Sequence, residues 1–165
     1  MPEKTPDNYN VSIIRLIDDD ADKIIFNDLI KAFYLGGDLR LVTTDEIWSD
    51  GEIPVFDMNN VTLRHLTKVV FQTLRLFMKY SQEAHPVVVR QIHVVNCSSL
   101  LNRIMVIVKP FLKTEVADRI HTHLPGSKTI FKFISQEIFP KEYGGTGSSI
   151  ESIRQVWLEN LENQR

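Results

Sequence analysis

The 165-residue chain predicts an α/β fold, a mostly parallel sheet with flanking helices. Three observations carry that expectation. Short β-branched or apolar runs alternate with longer segments of helical periodicity, strand then helix, along the first two thirds of the chain. The third run, Val87 to Val95, is apolar almost without interruption, as in a strand covered on both faces. Glycine and proline number seven each, which leaves little of the chain for irregular structure. No repeat or Pro/Gly-rich linker divides it, so one domain over residues 8–165 is expected.

The elements follow in order. Val11 to Leu16 is β-branched and short, a buried strand. Asp18, Asp19, Asp20 and Asp22 stand where a helix begins, since carboxylates favour its positive end. Ile24, Ile25, Leu29, Ala32 and Phe33 give that helix an apolar stripe, and Gly36-Gly37 predicts its end or a bend. Asp38 to Asp50 carries no clear element; Ile53 to Asp57 is the second strand. Leu66, Val69, Val70, Thr73, Leu74 and Phe77 recur at helical spacing, and His85-Pro86 stops that helix. Ser98 or Ser99 caps the next, which is apolar on nearly every face from Leu100 to Leu112. Such a helix is either a central core helix or a lid over an apolar cavity. Ile120 to Leu124 predicts a short strand, Ser127 caps a helix to about Gln136, and Tyr143 to Gly147 is a loop. Ser148 with Glu151 forms a capping box for a last helix bearing Ile153, Val156, Trp157 and Leu161.

Nineteen basic residues against 21 acidic ones, a formal charge of −2, exclude a nucleic-acid binder. A single cysteine rules out an intramolecular disulfide and suits a reducing compartment. The polar first ten residues hold no signal sequence, and no stretch approaches the roughly 20 apolar residues of a membrane span. A soluble cytoplasmic protein that meets membranes only peripherally is therefore expected.

Several spacings suggest chemistry and fall short of it. Cys97 and Arg103, with five residues between them, match a phosphatase loop, yet Leu100 and Leu101 stand where glycine must wrap the anion. A small buried cysteine is the alternative. His121 and His123 place two imidazoles on one strand face, as a metal pair needs, without an identifiable third ligand. Asp18, Asp20 and Asp22 open like an EF-hand, but Lys23 and Leu29 occupy positions where that loop requires Gly and Glu. Gly144 to Ser149 resembles a phosphate cradle without its lysine. Arg90, Lys109, Lys113, Arg119, Lys128 and Lys132 form a solvated surface or, if they converge, a site for an anionic headgroup. No residue set supports an enzyme, a metal or a cofactor.

Five segments in order do carry a resemblance: Ile53-Pro-Val-Phe-Asp-Met58, Val89-Arg-Gln-Ile-His-Val-Val-Asn96, Lys109-Pro-Phe-Leu112, Arg119-Ile-His121 and Phe139-Pro-Lys-Glu-Tyr-Gly-Gly145. Together they resemble the CRAL-TRIO lipid-binding family, on its tocopherol-transfer and retinaldehyde-binding side, over about Asn8 to Glu159. Phe139 stands where that family usually has Leu.

The resemblance implies a sheet flooring an apolar cavity, closed by a mobile gate helix that matches Leu100 to Val108. Carried over by position, Phe33, Phe56, Val69, Phe77, Val87, Val89, Ile92, Leu101, Ile104 and Ile107 line the cavity. The implied partners are a small hydrophobic lipid and, transiently, a membrane surface. Arg90 and Arg119 match a basic cluster that binds phosphoinositide headgroups, whereas Val88 and Glu115 stand where relatives have Lys. No serine lies in Phe33 to Gly37 to anchor a tocopherol hydroxyl, so another lipid is expected. The helical N-terminal domain usual in the family is absent ahead of Asn8; apolar surface it covers elsewhere is expected to promote self-association. The competing expectations are a non-transporting docking module for membrane or protein partners and, second, the Cys97/Arg103 phosphatase.

Overall fold

The computed structural model describes residues 1–43 and 49–163. Four parallel strands, β1 (Tyr9–Arg15), β2 (Gly51–Asp57), β3 (Ile92–Val95) and β4 (Ile120–Thr122), lie side by side in chain order. Between them run α1 (Phe26–Thr43), α2 (Leu63–Leu66) with α3 (Phe71–Glu83), and α4 (Leu100–Val108) with α5 (Thr114–Ala117); α6 (Ile150–Asn163) closes the described chain. Every crossover steps in the same direction across the sheet, so the right-handed rule puts α1 to α5 on one face.

The opposite face is sealed without a long helix. Register pairs Val11 with Ile53, Ile13 with Val55, and Asp57 with Val95, which aligns one row of side chains across β1 to β3. Val11, Ile53, Val55 and Val95 pack on Ile130, Ile134, Ile138 and Phe139 from the segment that follows β4. Val11, Val55 and Phe139 are wholly inaccessible. Full burial of such side chains stabilises by about 1.5–3 kcal/mol each. That segment folds as short 3₁₀ turns, Thr129–Lys132 and Lys141–Tyr143. It is clamped by hydrogen bonds from Gly145 N to Pro140 O and from Gly147 N to Phe139 O.

Several sequence expectations need correction. Gly36-Gly37 lies inside α1, which continues to Thr43; the rest of the unassigned stretch, residues 44–48, lies outside the described residues. Two helical glycines cost about 1 kcal/mol each relative to Ala, and packing of Phe33 and Tyr34 before them and buried Leu39 after them outweighs that. The aspartate run caps a 3₁₀ turn, Ala21–Lys23, through Asp20, and α1 starts only at Phe26. The single helix expected from Leu66 is two: Thr62 and His65 close a one-turn α2, and Val70 is extended before α3. Expected strand Val87 to Val95 is regular only from Ile92. Glu52 bridges Val89 but Phe56 pairs with Val94, so five steps on one strand face four on the other, as in a bulge. The strand from Ile120 stops at Thr122, short of Leu124. The helix expected from Ser127 to Gln136 is the first of the 3₁₀ turns. α6 begins one residue later than the capping box implied: Ser149 Oγ accepts from Ser152 N, and the Glu142 carboxylate accepts from Ile150 N. Finally, α4 is not a core helix. None of its residues is buried, and Val106 is 75% exposed.

Candidate functional site

The helix-covered face differs from the sealed one. Phe56, on the alternate side of β2 from Val55, meets Phe33 of α1 with ring centroids 6.5 Å apart, and Phe33 meets Phe77 of α3 edge-on at 5.2 Å. Of the other expected positions, Val69 sits in the turn between α2 and α3, Val87 precedes β3, and Val89 bridges to Glu52. Ile92 opens β3 opposite Ile120, while Leu101, Ile104 and Ile107 recur every three residues along α4. All ten are half-buried; none is fully enclosed and none fully exposed. Direct ring contacts unite only the three phenylalanines.

Polar groups that the sequence did not single out frame this face. Tyr34 Oη donates to Phe77 O at 3.2 Å and shares a 2.9 Å hydrogen bond with Ser81 Oγ; burial pushes its phenol above the ordinary value. Gln82 ties the foot of α4 to α3: its Nε2 donates to Phe111 O, and its Oε1 accepts from Lys113 N, both at 2.8 Å. Residues 110–113 and the Arg75, Lys79, Gln82, Glu83 side of α3 enclose a cleft of about 290 Å³. A wider cleft, about 640 Å³, lies where Met1, Lys4 and Asn10 face Trp157 of α6. There Arg40 stacks over Trp157 at 5.5 Å and pairs with Glu52. Neither cleft is lined by any of the ten apolar positions.

Three of the five quoted segments meet on the sealed side. The buried Asp57 carboxylate accepts from Tyr143 Oη at 2.5 Å, from Asn96 Nδ2 at 2.7 Å and from Asn59 N at 2.9 Å. Burial and that carboxylate push the Tyr143 phenol up. Beside it runs a histidine relay. His93 pairs with His121 across β3 and β4, and His123 follows on the same face. Gln91 Oε1 can only accept, so His93 Nε2 donates to it at 3.0 Å and His93 Nδ1 accepts from His123 Nε2 at 2.9 Å. Thr129 Oγ1 donates to His123 Nδ1 at 2.7 Å. Burial, reinforced by the neighbouring imidazoles, lowers His93 to about 3. His93 and His123 are thus bonded to each other, with His121 stacked 5.2 Å from His93; among the described residues no cluster of three or more His, Cys, Asp or Glu could hold a metal ion. The parallel pairing of β3 with β4 was the signal that could have joined His93 to them.

The remaining spacings resolve similarly. Cys97 is buried, its Sγ donates to Val94 O, and burial pushes the thiol up, opposite to the low-pKa thiolate of a phosphatase. Arg103 points outward from α4. Asp22 is held by Lys68 at 2.8 Å and by Arg64, joining the loop after β1 to α2. Gly144 to Ser149 is occupied with the clamp on Phe139 and the cap of α6. Arg90 and Arg119 come to one corner of the sheet: Arg119 donates to Val89 O, and Arg90 Nε donates to Asp50 O while lying over Tyr9. Val88 and Glu115 are exposed.

Comparison with known proteins agrees with this architecture. The CRAL/TRIO domain model matches residues 9–145. Clavesin-1 of Rattus norvegicus is 27% identical over 142 residues, covering 85% of this chain and 40% of its own. Alpha-tocopherol transfer protein-like of Homo sapiens is 28% identical over 123 residues, covering 74% and 36% respectively. The chain thus spans about two fifths of the length of these curated relatives. In fold alone it matches the crystal structure of Sfh5, with a TM-score of 0.51 and 15% identity over 76% of this chain and 48% of that one. No helix among the described residues is long and apolar enough to cross a membrane.

Proposed function

The chain belongs to the CRAL/TRIO domain family, whose members bind small lipophilic ligands, and from that premise we propose that it is a non-enzymatic carrier of one small hydrophobic lipid of tocopherol or retinoid size. The lipid lies between the Phe56 face of the sheet and α4, and α4 swings aside at a membrane to release it. The carrier acts in the cytoplasm and touches membranes peripherally.

One observation carries this reading, the asymmetry of the sheet. Its far face is sealed to zero accessibility at Val11, Val55 and Phe139; on the helix side Val94, Leu39, Leu74 and Met78 are buried, whereas the ten apolar positions stop at half-burial. Three of the ten belong to α4, whose apolar residues flank Asn102 and Arg103 and of which none is buried in protein. Apolar surface left in that state gains about 25 cal/mol per Å² when a lipid covers it. Arg90 and Arg119 assist release through a phosphoinositide headgroup at the sheet corner, with two cations rather than four.

Purification from a eukaryotic host, organic extraction and mass spectrometry test the reading. Close to one lipid per chain supports it and names the ligand class. A chain that comes out empty, and takes up no retinoid, tocopherol or phospholipid from vesicles, favours the second reading, a docking module. Exposed Ile17, Ile25, Leu63 and Phe71, around the starts of α1 to α3, are what that reading would use.

A further inference from the structure

His65 differs from the other buried polar residues among the described ones. Thr5, Asp57, His93 and His123 each bond a partner through their side chains. His65 is 8% exposed and is the buried residue of α2, yet its Nε2 is closed to solvent and has no hydrogen-bond partner among the described residues. The other ring nitrogen fixes what that atom is. Thr62 N donates to His65 Nδ1 at 3.0 Å, and Thr62 Oγ1 lies 2.9 Å from the same nitrogen. A nitrogen that accepts a backbone N–H carries no hydrogen of its own, so the proton sits on Nε2 and makes it a donor. It offers no lone pair to a metal ion. Capping the turn does not account for it either. A cap needs one acceptor, which Asn, Asp or Ser supplies without burying a second polar atom. A buried donor left unpaired is costly, and folds rarely keep one without a use.

Position narrows what can pair with it. α2 lies in the crossover from β2 to β3, on the helix-covered side of the sheet with Phe33, Phe56 and Phe77. One turn on, Lys68 N donates to His65 O and Val69 N to Leu66 O, bringing the chain to Val69, a half-buried apolar position. Because Nε2 is closed, no water-sized space adjoins it. An acceptor reaches it only on a skeleton apolar enough to part half-buried side chains. An ionised carboxylate does not fit that role, since one neutral N–H does not compensate a buried charge. The Tyr34 hydroxyl on the same side of the sheet has its proton committed to Phe77 O.

We propose that His65 Nε2 donates to a neutral oxygen of the carried lipid, and so selects an aldehyde, ester or ether lipid over a hydrocarbon or a free fatty acid of the same skeleton. The inference rests on the carrier reading and adds to it the residue that sets the polarity of the ligand.

Uptake from phosphatidylcholine vesicles, quantified by mass spectrometry, tests it with two matched series. One is retinal, anhydroretinol and retinoic acid; the other is methyl stearate, octadecane and stearate. His65→Asn is the variant, because its side-chain oxygen replaces Nδ1 as the acceptor for Thr62 N while the Nε2 donor is lost; its circular dichroism spectrum should be unchanged. The variant is expected to weaken retinal or methyl stearate by about tenfold, equivalent to about 1.4 kcal/mol, the size of a lost buried hydrogen bond. Anhydroretinol, octadecane and the two carboxylates should change by less than about twofold. In the ¹⁵N-histidine-labelled chain, the Nε2 proton of His65 should move downfield with retinal or methyl stearate and stay in place with the hydrocarbons. Uptake that His65→Asn leaves unchanged, or lowers equally for hydrocarbon and oxygenated probes, overturns the assignment of His65 alone. Uptake of none of the six probes overturns it together with the carrier reading.

Discussion

His93 offers the most direct test of how the sealed side is held. Its ring is wholly inaccessible, bonded to Gln91 and His123 and stacked 5.2 Å from His121, and its pKa is lowered to about 3. The sign follows from where the proton binds. Below the unfolded value of about 6.5 the unfolded chain takes up a proton that the folded chain refuses, so stability present above pH 6.5 is lost as pH falls toward 3. Each pH unit in that window costs about 1.4 kcal/mol per site, so His93 alone accounts for about 2 kcal/mol between pH 7 and 5. His123, also lowered by burial and by His121, adds in the same direction. In urea, with a slope of about 2 kcal/mol per molar, 2 kcal/mol moves the midpoint down by about 1 M. His93→Gln keeps one donor and one acceptor but cannot titrate. It is expected to be less stable at pH 7 and to show a flatter midpoint-versus-pH curve, by about 2 kcal/mol over those two units. An unchanged slope in His93→Gln, or an NMR titration of His93 near 6.5, refutes the reasoning.

Three further predictions address the gate and the clamp. Ile104→Asp places a carboxylate at a half-buried position of α4; under the proposed carrier function, co-purifying lipid should fall to near zero in the extract while the circular dichroism spectrum is unchanged, and retained lipid would remove Ile104 from the proposed lining. Gly145→Ala would put a Cβ 1.8 Å from Phe139 O, whereas at Gly144 the nearest atom is 4.0 Å away and only the φ of +80° is strained. Relieving the Gly145 clash breaks the clamp bonds of Gly145, Thr146 and Gly147, about 1 kcal/mol each, so urea midpoints should show a loss above 3 kcal/mol against about 1 kcal/mol for Gly144→Ala. Tyr143→Phe removes one donor from the buried Asp57 carboxylate and should cost about 1.5–3 kcal/mol by the same measurement.

Where the sequence could be read, and where not, has physical causes. β1, β2 and α4 are each a contiguous run whose periodicity is set by one dominant environment, and each was legible within a few residues. Ile130, Ile134 and Ile138 recur every four residues and mimic a helical stripe, yet they fold as 3₁₀ turns and loops against the sheet. Only the Phe139 clamp and the tight approach of Gly145 enforce that, and neither has a periodic signature. The break between α2 and α3 turns on the local bonds of Thr62 to His65, which a stripe running from Leu66 to Phe77 conceals. Three of the family segments converge for a reason the residues alone did not give. Asp57, Asn96 and Tyr143 come from three of those segments and bond to one another, so much of the resemblance marks how the sheet is pinned. Tyr34, Ser81 and Gln82 carry no motif and became visible only through their partners.

The division of labour between the faces bears on how a gate could move at all. A helix that leaves a sheet ordinarily takes fully buried side chains with it, at about 1.5–3 kcal/mol for each large apolar group exposed. α4 has no such residue to expose, so its displacement forfeits only partial contacts, and Val106 already faces outward. Meanwhile the groups whose rupture would be expensive, the Asp57 knot and the His93–His123 pair, lie on the other side of the sheet. The foot of α4 is held by the two Gln82 bonds to Phe111 and Lys113, and its start by Ser98 Oγ, which accepts from Leu100 N just after the buried Cys97. A carrier needs that separation, because the floor must persist while the lid opens. A docking module needs no such separation and would draw instead on the exposed residues around the starts of α1 to α3.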